Sequence, residues 1–65
     1  MRKIYTVHIH EISPISIKDE LVLATEDEDT ALIVYRVLVH SLQKICSVKE
    51  WFDGEWTFVK NINGN

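Results

Sequence analysis

Two histidines, His8 and His10, stand two residues apart in the run Tyr5-Thr6-Val7-His8-Ile9-His10. On a β-strand that spacing puts both rings on one face about 7 Å apart, and imidazole is a common ligand for zinc or nickel. A metal centre needs a third ligand, and His40 is the only other histidine. If Tyr5, Val7 and Ile9 face a core, His8 and His10 point away from it. His40 then falls on the outer side of a predicted helix, with the whole domain in between, and Glu11 has the wrong strand parity to join the pair. Within one chain the two histidines read as solvated or interface residues, and no cofactor is expected. Across a two-fold axis, His8 and His10 of two chains supply four imidazoles, which leaves a metal-binding regulator as an alternative.

Cys46 could act as a nucleophile, but reactive thiols favour cationic surroundings or helix N-termini. The periodicity places this residue at a helix C-terminus, where the dipole opposes a thiolate, so a packed core thiol is the simpler reading. Paired carboxylates can do acid–base work when one is enclosed and the other solvated. Most of the carboxylates here gather instead in one acidic block, Asp19, Glu20, Glu26, Asp27, Glu28 and Asp29, predicted as loop and helix start. There is no nucleophile elbow, glycine-rich phosphate loop, H-x-x-x-H or C-x-x-C. The chain is expected not to be an enzyme.

Arg36, His40 and Lys44 form an exposed stripe at helical spacing, too short for a nucleic-acid contact and suited to the negative end of a helix dipole. With Lys plus Arg at 7, Asp plus Glu at 10 and a net charge of −3, direct nucleic-acid binding is not expected. The acidic block has a sharper alternative use, as a mimic of nucleic-acid phosphates that inhibits a nuclease or defence system.

These residues must be positioned by a chain of 65 residues, enough for a single domain, 1–65, with a thin core. A hydrophobic content of 46% with 2 glycines and 1 proline excludes disordered and collagen-like classes. No apolar run approaches the roughly 18 residues that span a bilayer. One cysteine fits a reducing, cytoplasmic setting.

Alternation predicts a strand over 3–12, ended by Ser13-Pro14. Lys18-Asp19-Glu20 reads as loop, and a short strand follows over 21–25. Thr25-Glu26-Asp27-Glu28 has the form of a capping box, with Asp27 as a competing cap, and opens a helix over 27–46. Taking about 100° per residue, Ala31, Tyr35, Leu38, Leu42, Ile45 and Cys46 share one stripe, while Ile33 and Val37 flank it. Asp53-Gly54 signals a two-residue type I′ hairpin, joining strands over 48–53 and 55–62. The register pairs Trp51 with Trp56, Lys49 with Phe58 and Val48 with Val59. Asn61 to Asn65 reads as a tail.

The fold class is therefore α+β: a single four-stranded, mostly antiparallel sheet with one helix on one face, in the order ββαββ. One helix covers one face, yet the hairpin carries large apolar groups on both. Either Phe52, Val48 and Val59 or the tryptophan pair must lie on the uncovered side, and such a patch marks an interface. The expected interface set is Ile33, Val37, Val48, Phe52 and Val59.

The layout of two strands, the acidic helix start Thr25-Glu26-Asp27-Glu28-Asp29-Thr30-Ala31, a Tyr35/Leu38 helix and Trp51-Phe52-Asp53-Gly54-Glu55 resembles small uncharacterised bacteriophage and prophage proteins. The resemblance covers most of residues 4–60 and carries over no site residues. It implies an accessory protein or inhibitor that binds a host protein. Taken with the apolar surface, the expectation is a non-enzymatic protein-interaction module, a homodimer with a further protein partner and no membrane association.

Overall fold

Apolar residues at every second position make Ile4–Ile12 a strand (β1) with Tyr5, Val7 and Ile9 on one face and Thr6, His8 and His10 on the other. The structure, a computed structural model, describes residues 2–62. The element order is β1, β2 (Ile17–Thr25), α1 (Glu28–Arg36), a π-helical turn (Val37–Ser41), β3 (Cys46–Phe52) and β4 (Glu55–Lys60). The sheet order is β2-β1-β3-β4, with every neighbouring pair antiparallel. The chain is thus an α+β protein of ββαββ layout.

The core lies between the sheet and α1. Tyr5 and Val7 of β1, Cys46 and Val48 of β3, and Ala31, Tyr35 and Leu38 of the helical segment are buried together, with Ile9, Leu23, Val34, Val39 and Val59 packed against them. The β1–β3 register sets Val7 opposite Val48 and Ile9 opposite Cys46, so these four share the helix-covered face.

The second strand begins earlier than its sequence suggests. Lys18, Asp19 and Glu20, expected as loop, pair with Glu11, His10 and Ile9. A compact turn makes this possible: Ser13 N–H donates to the Ser16 carbonyl (2.8 Å), and Ser16 N–H donates to the Ser13 hydroxyl (3.1 Å). The ladder then satisfies the backbone of a charged stretch whose side chains remain in water. Because β3 ends its pairing with β1 at Ile9 and Cys46, the hairpin tip projects past the sheet as a two-stranded arm.

Asp27 is the N-cap, its carboxylate accepting from Asp29 N–H (3.2 Å) and the Thr30 hydroxyl (2.6 Å), while Thr25 accepts from Asp27 N–H one step earlier. The α-helix is shorter than the predicted 27–46. After Arg36 the bonds widen to Leu42 N–H→Val37 carbonyl and Lys44 N–H→Leu38 carbonyl, and Gln43 ends the helix at φ 53°. The extra residue in that turn breaks the stripe. Leu38 is buried, whereas Leu42 and Ile45, expected beside it, are exposed. Cys46 becomes the first residue of β3 and not the last of the helix.

The β3–β4 hairpin turns on Asp53 (φ 55°) and Gly54 (φ 81°), the paired positive angles of a type I′ turn. Its register runs Phe52–Glu55, Trp51–Trp56, Glu50–Thr57 and Lys49–Phe58, then shifts so that Val48 meets Lys60 and not Val59. This bulge turns Val59 toward the core. A second bulge on β2 leaves Val22 between Leu21, opposite His8, and Leu23, opposite Val7. The last strand ends at Lys60, short of the predicted 62; residues 63–65 of the predicted tail lie outside the described residues.

Candidate functional site

The sheet face turned away from the helix is built from alternate residues of all four strands. Thr6, His8 and His10 come from β1, with Ser47 and Lys49 beside them on β3. Asp19 and Leu21 come from β2, and Trp56 and Phe58 from β4. The central strands supply a polar floor and the outer strands apolar walls. Leu21, Trp56 and Phe58 are all more than half exposed. Thr6, His8, Leu21, Lys49 and Trp56 line a concavity of about 350 Å³ between the walls. Ile12 and Ile17, paired across the arm, extend the same face and are also more than half exposed.

The polar floor is internally satisfied. His8 Nδ1 lies 2.9 Å from an Asp19 carboxylate oxygen and His8 Nε2 lies 2.9 Å from the Thr6 hydroxyl. A carboxylate only accepts, so Nδ1 carries the hydrogen and, in the neutral ring, Nε2 accepts from Thr6. His10 Nε2 sits 2.6 Å from the Ser47 hydroxyl. The two rings stack, with centroids 6.4 Å apart and planes inclined by 26°. Lys49 Nζ lies over the Phe58 ring at 5.5 Å, a cation–π contact that flattens the lysine stem against the sheet. Among the described residues no buried side-chain nitrogen or oxygen lacks a partner.

The His10–Ser47 contact has the form of a base beside a nucleophile, but Ser47 has no exposed surface. A substrate carbonyl cannot reach its oxygen, so the pair serves packing and not acyl transfer. Nor do three His, Cys, Asp or Glu groups converge as metal ligands among the described residues. His8 and His10 do share a face, but both His8 nitrogens are already engaged.

The expected interface residues separate. Val48 is fully buried beneath the helix and is not a surface residue. Val59 packs against the core beside it. Phe52 lies on the same helix-side face, at its margin, where Lys3 Nζ stands 5.2 Å over the ring and pairs with Glu50 at 3.2 Å. The β1–β3 register dictates this choice: Val7 opposite Val48 puts odd-numbered β1 residues and even-numbered β3 residues on one side. The tryptophan pair takes the open face. Ile33 and Val37 are exposed on the helical segment, as expected.

The acidic block is also divided. Asp19 and Glu20 lie on β2 with opposite parity, and Asp19 is held by His8. Glu26 approaches Arg2 at 3.6 Å, Asp27 caps the helix, and Glu28 and Asp29 occupy its first turn. These carboxylates do not form one phosphate-like row.

Cys46 is core. Burial pushes its thiol pKa up, partly offset by the Lys44 charge. Tyr5 is raised as well, first by burial and then by Glu50 and Glu28, against Lys3. For both acids the folded chain holds a proton that the unfolded chain releases, so their stabilisation is complete below the unfolded pKa and is lost as pH rises above it. Unfolding free energy is expected to fall from about pH 8.5 upward, by up to about 1.4 kcal/mol per pH unit for the thiol alone. Urea titrations at pH 7.5, 8.5 and 9.5 check this, with Cys46→Ala giving the flatter profile.

Thr6, Ser47 and Lys49 carry the floor of the face, and no motif marks them. Their parity with His8 was the available signal, and it becomes readable only once β3 is known to lie beside β1. No family model, curated protein or solved structure matches the chain.

Proposed function

We propose that the chain is a non-enzymatic interaction module that pairs with a second copy through the open face of its sheet. The observation that carries this reading is the exposure of Leu21, Trp56 and Phe58 on one continuous surface opposite the helix. A lone chain of this size gains little by leaving two large aromatic rings in water.

Three further features support a second copy as the occupant. Both edge strands, β2 and β4, carry a bulge. Bulges blunt edges against strand addition, so the edges are defended where the face is not. The chain exposes 4749 Å², roughly a tenth more than the approximately 4,300 Å² that size scaling gives for a 7.6 kDa monomer. Strands of 9, 9, 7 and 6 residues, at about 3.3 Å per residue and about 4.8 Å apart, present roughly 490 Å² in projection. Side-chain relief raises that toward the approximately 800 Å² per partner of a standard interface.

A two-fold axis parallel to the strands lays β2 of each copy over β4 of the other. Leu21 of one protomer then packs toward Trp56 and Phe58 of its partner. The outer helix flank with Ile33 and Val37 stays free in this arrangement, available to an unlike protein.

Sedimentation equilibrium over a wide concentration range, in the presence of a chelator, tests the reading. The expected result is a species of twice the chain mass. A monomer throughout overturns it. A dimer that forms only when zinc is restored transfers the weight to a metal site shared by His8 and His10.

A further inference from the structure

Arg36, His40 and Lys60 come together with Leu32, Tyr35 and Val39 around a groove of about 410 Å³ on the helix side of the sheet. We infer that this groove is a docking site for an acidic segment of another protein, one that carries carboxylates around an aliphatic or aromatic side chain. The inference goes beyond the pairing of two copies, which uses the opposite face, and it stands whether or not that pairing occurs.

The sheet supplies one wall through an irregularity. Continued without a break from Phe58 opposite Lys49, the register would set Val59 opposite Val48 and Lys60 opposite Ser47, on the open face. The bulge sets Lys60 opposite Val48 instead, on the side the helix covers, while Val59 still packs against the core. The helical segment supplies the other wall. Leu32, Arg36 and His40 recur at four-residue spacing and form one row, with Tyr35 and Val39 as a second. Tyr35 is buried, Leu32 and Val39 are half-buried, and Arg36 and His40 are exposed.

None of the six lining residues is a carboxylate. Among the described residues neither Arg36 nor Lys60 forms an ion pair. A chain of net charge −3 therefore gathers two unpaired cations at one groove, and His40 adds a ring N–H. The helix dipole accounts for cations near the end of the helical segment, but not for Lys60, which arrives from β4. Glu28 and Asp29 occupy the opposite end of the helix, in its first turn. That gradient directs the partner's carboxylates toward Arg36 and Lys60.

The apolar lining selects the kind of anion. A phosphate or a nucleic-acid backbone would engage the cations and leave Leu32 and Val39 without a partner. Carboxylates flanking one apolar side chain use both, with Arg36 able to hold a carboxylate through two parallel N–H bonds. The volume lies within the roughly 300–1,000 Å³ of ligand clefts, enough to seat a few side chains of an extended segment.

Amide NMR of the isotope-labelled chain tests the inference, with a pool of hexapeptides that each hold one leucine or phenylalanine among aspartates and glutamates. Saturable shifts are expected at Leu32, Arg36, Val39, His40 and Lys60, weakening as salt is added. The same peptides with asparagine and glutamine in place of the acids are expected to bind at least about tenfold more weakly. Arg36→Gln with Lys60→Gln is expected to cost the acidic peptides at least about tenfold as well. Neither side chain belongs to the buried cluster; should the double variant nonetheless lose its amide dispersion, the two peptide sets on the wild-type chain decide alone. Equal affinity for both sets, or no saturable shift at the groove, overturns the inference. Tighter binding of oligothymidylate or inorganic phosphate at the same residues also overturns it and assigns the groove to phosphate. The dimer is read separately, by sedimentation.

Discussion

Val48→Asp is expected to be unfolded at 25 °C and neutral pH, with the far-UV dichroism of helix and sheet lost and no urea transition. Val48 has no exposed surface and belongs to the cluster of Val7, Ala31, Tyr35 and Leu38. A carboxylate there sits across the strand from Lys60 but is enclosed by apolar side chains, so it must either ionise in apolar surroundings or hold its proton at neutral pH. Either course costs several kcal/mol, on the scale of about 3–5 kcal/mol for an uncompensated buried charge. A single core in a 65-residue chain rarely supplies more than about 3–5 kcal/mol, so most or all of it is consumed. Phe52→Ser is the matched control from the same hairpin. That ring is at the sheet margin and loses partial burial and its contact with Lys3, an effect of about 1 kcal/mol, and the chain stays folded. A cooperative urea transition in Val48→Asp near the wild-type midpoint would show that the helix does not cover this face.

Local signals in the chain were legible where the chemistry is local. Asp53-Gly54 announces its turn because few other residue pairs tolerate two positive φ angles in succession. The cap is Asp27, the competing reading, and not Thr25 of the capping-box pattern: the short Asp27 carboxylate reaches the amide two residues on, while Thr25 accepts only from Asp27 N–H. The alternation of β1 survives because it is half buried along most of its length. Lys18-Asp19-Glu20 misled because an edge strand needs only ladder bonds on one side, and charged side chains are no obstacle there. The π-helical turn left no mark in the periodicity, since its widening answers the need to bring Cys46 back under the helix as a strand residue.

The larger failure concerns the hairpin's faces. Parity sorted Val48 with Phe52 and Trp51 with Trp56, but which set meets the helix depends on how β3 sits against β1. That register is a long-range fact, Val7 against Val48, and no single stretch of sequence contains it. The same gap hid the candidate site, because Ser47 and Lys49 join His8 and Thr6 only through that pairing.

Trp56→Ser combined with Phe58→Ser is expected to leave the chain folded and to raise its dimer dissociation constant at least about a hundredfold. Both rings are more than half exposed in the separate chain, so their removal takes little from the fold beyond the Lys49 contact with Phe58. In a two-fold interface every substitution acts twice, once on each side. Aromatic anchors at an interface centre are commonly worth about 2 kcal/mol or more each, and a tenfold change in affinity needs about 1.4 kcal/mol. Even a modest loss per ring therefore exceeds a hundredfold when four rings are deleted. Ile33→Lys with Val37→Lys is the counter-test on the helix. Those side chains face away from the sheet's open side, and charging them leaves the sheet-to-sheet dimer unchanged. Dissociation by the helix pair, with the Trp56 and Phe58 variant still dimeric, would move the interface to the outer helix flank. The open face would then stand as a solvated surface whose polar floor, His8 with Asp19 and His10 with Ser47, is complete within one chain.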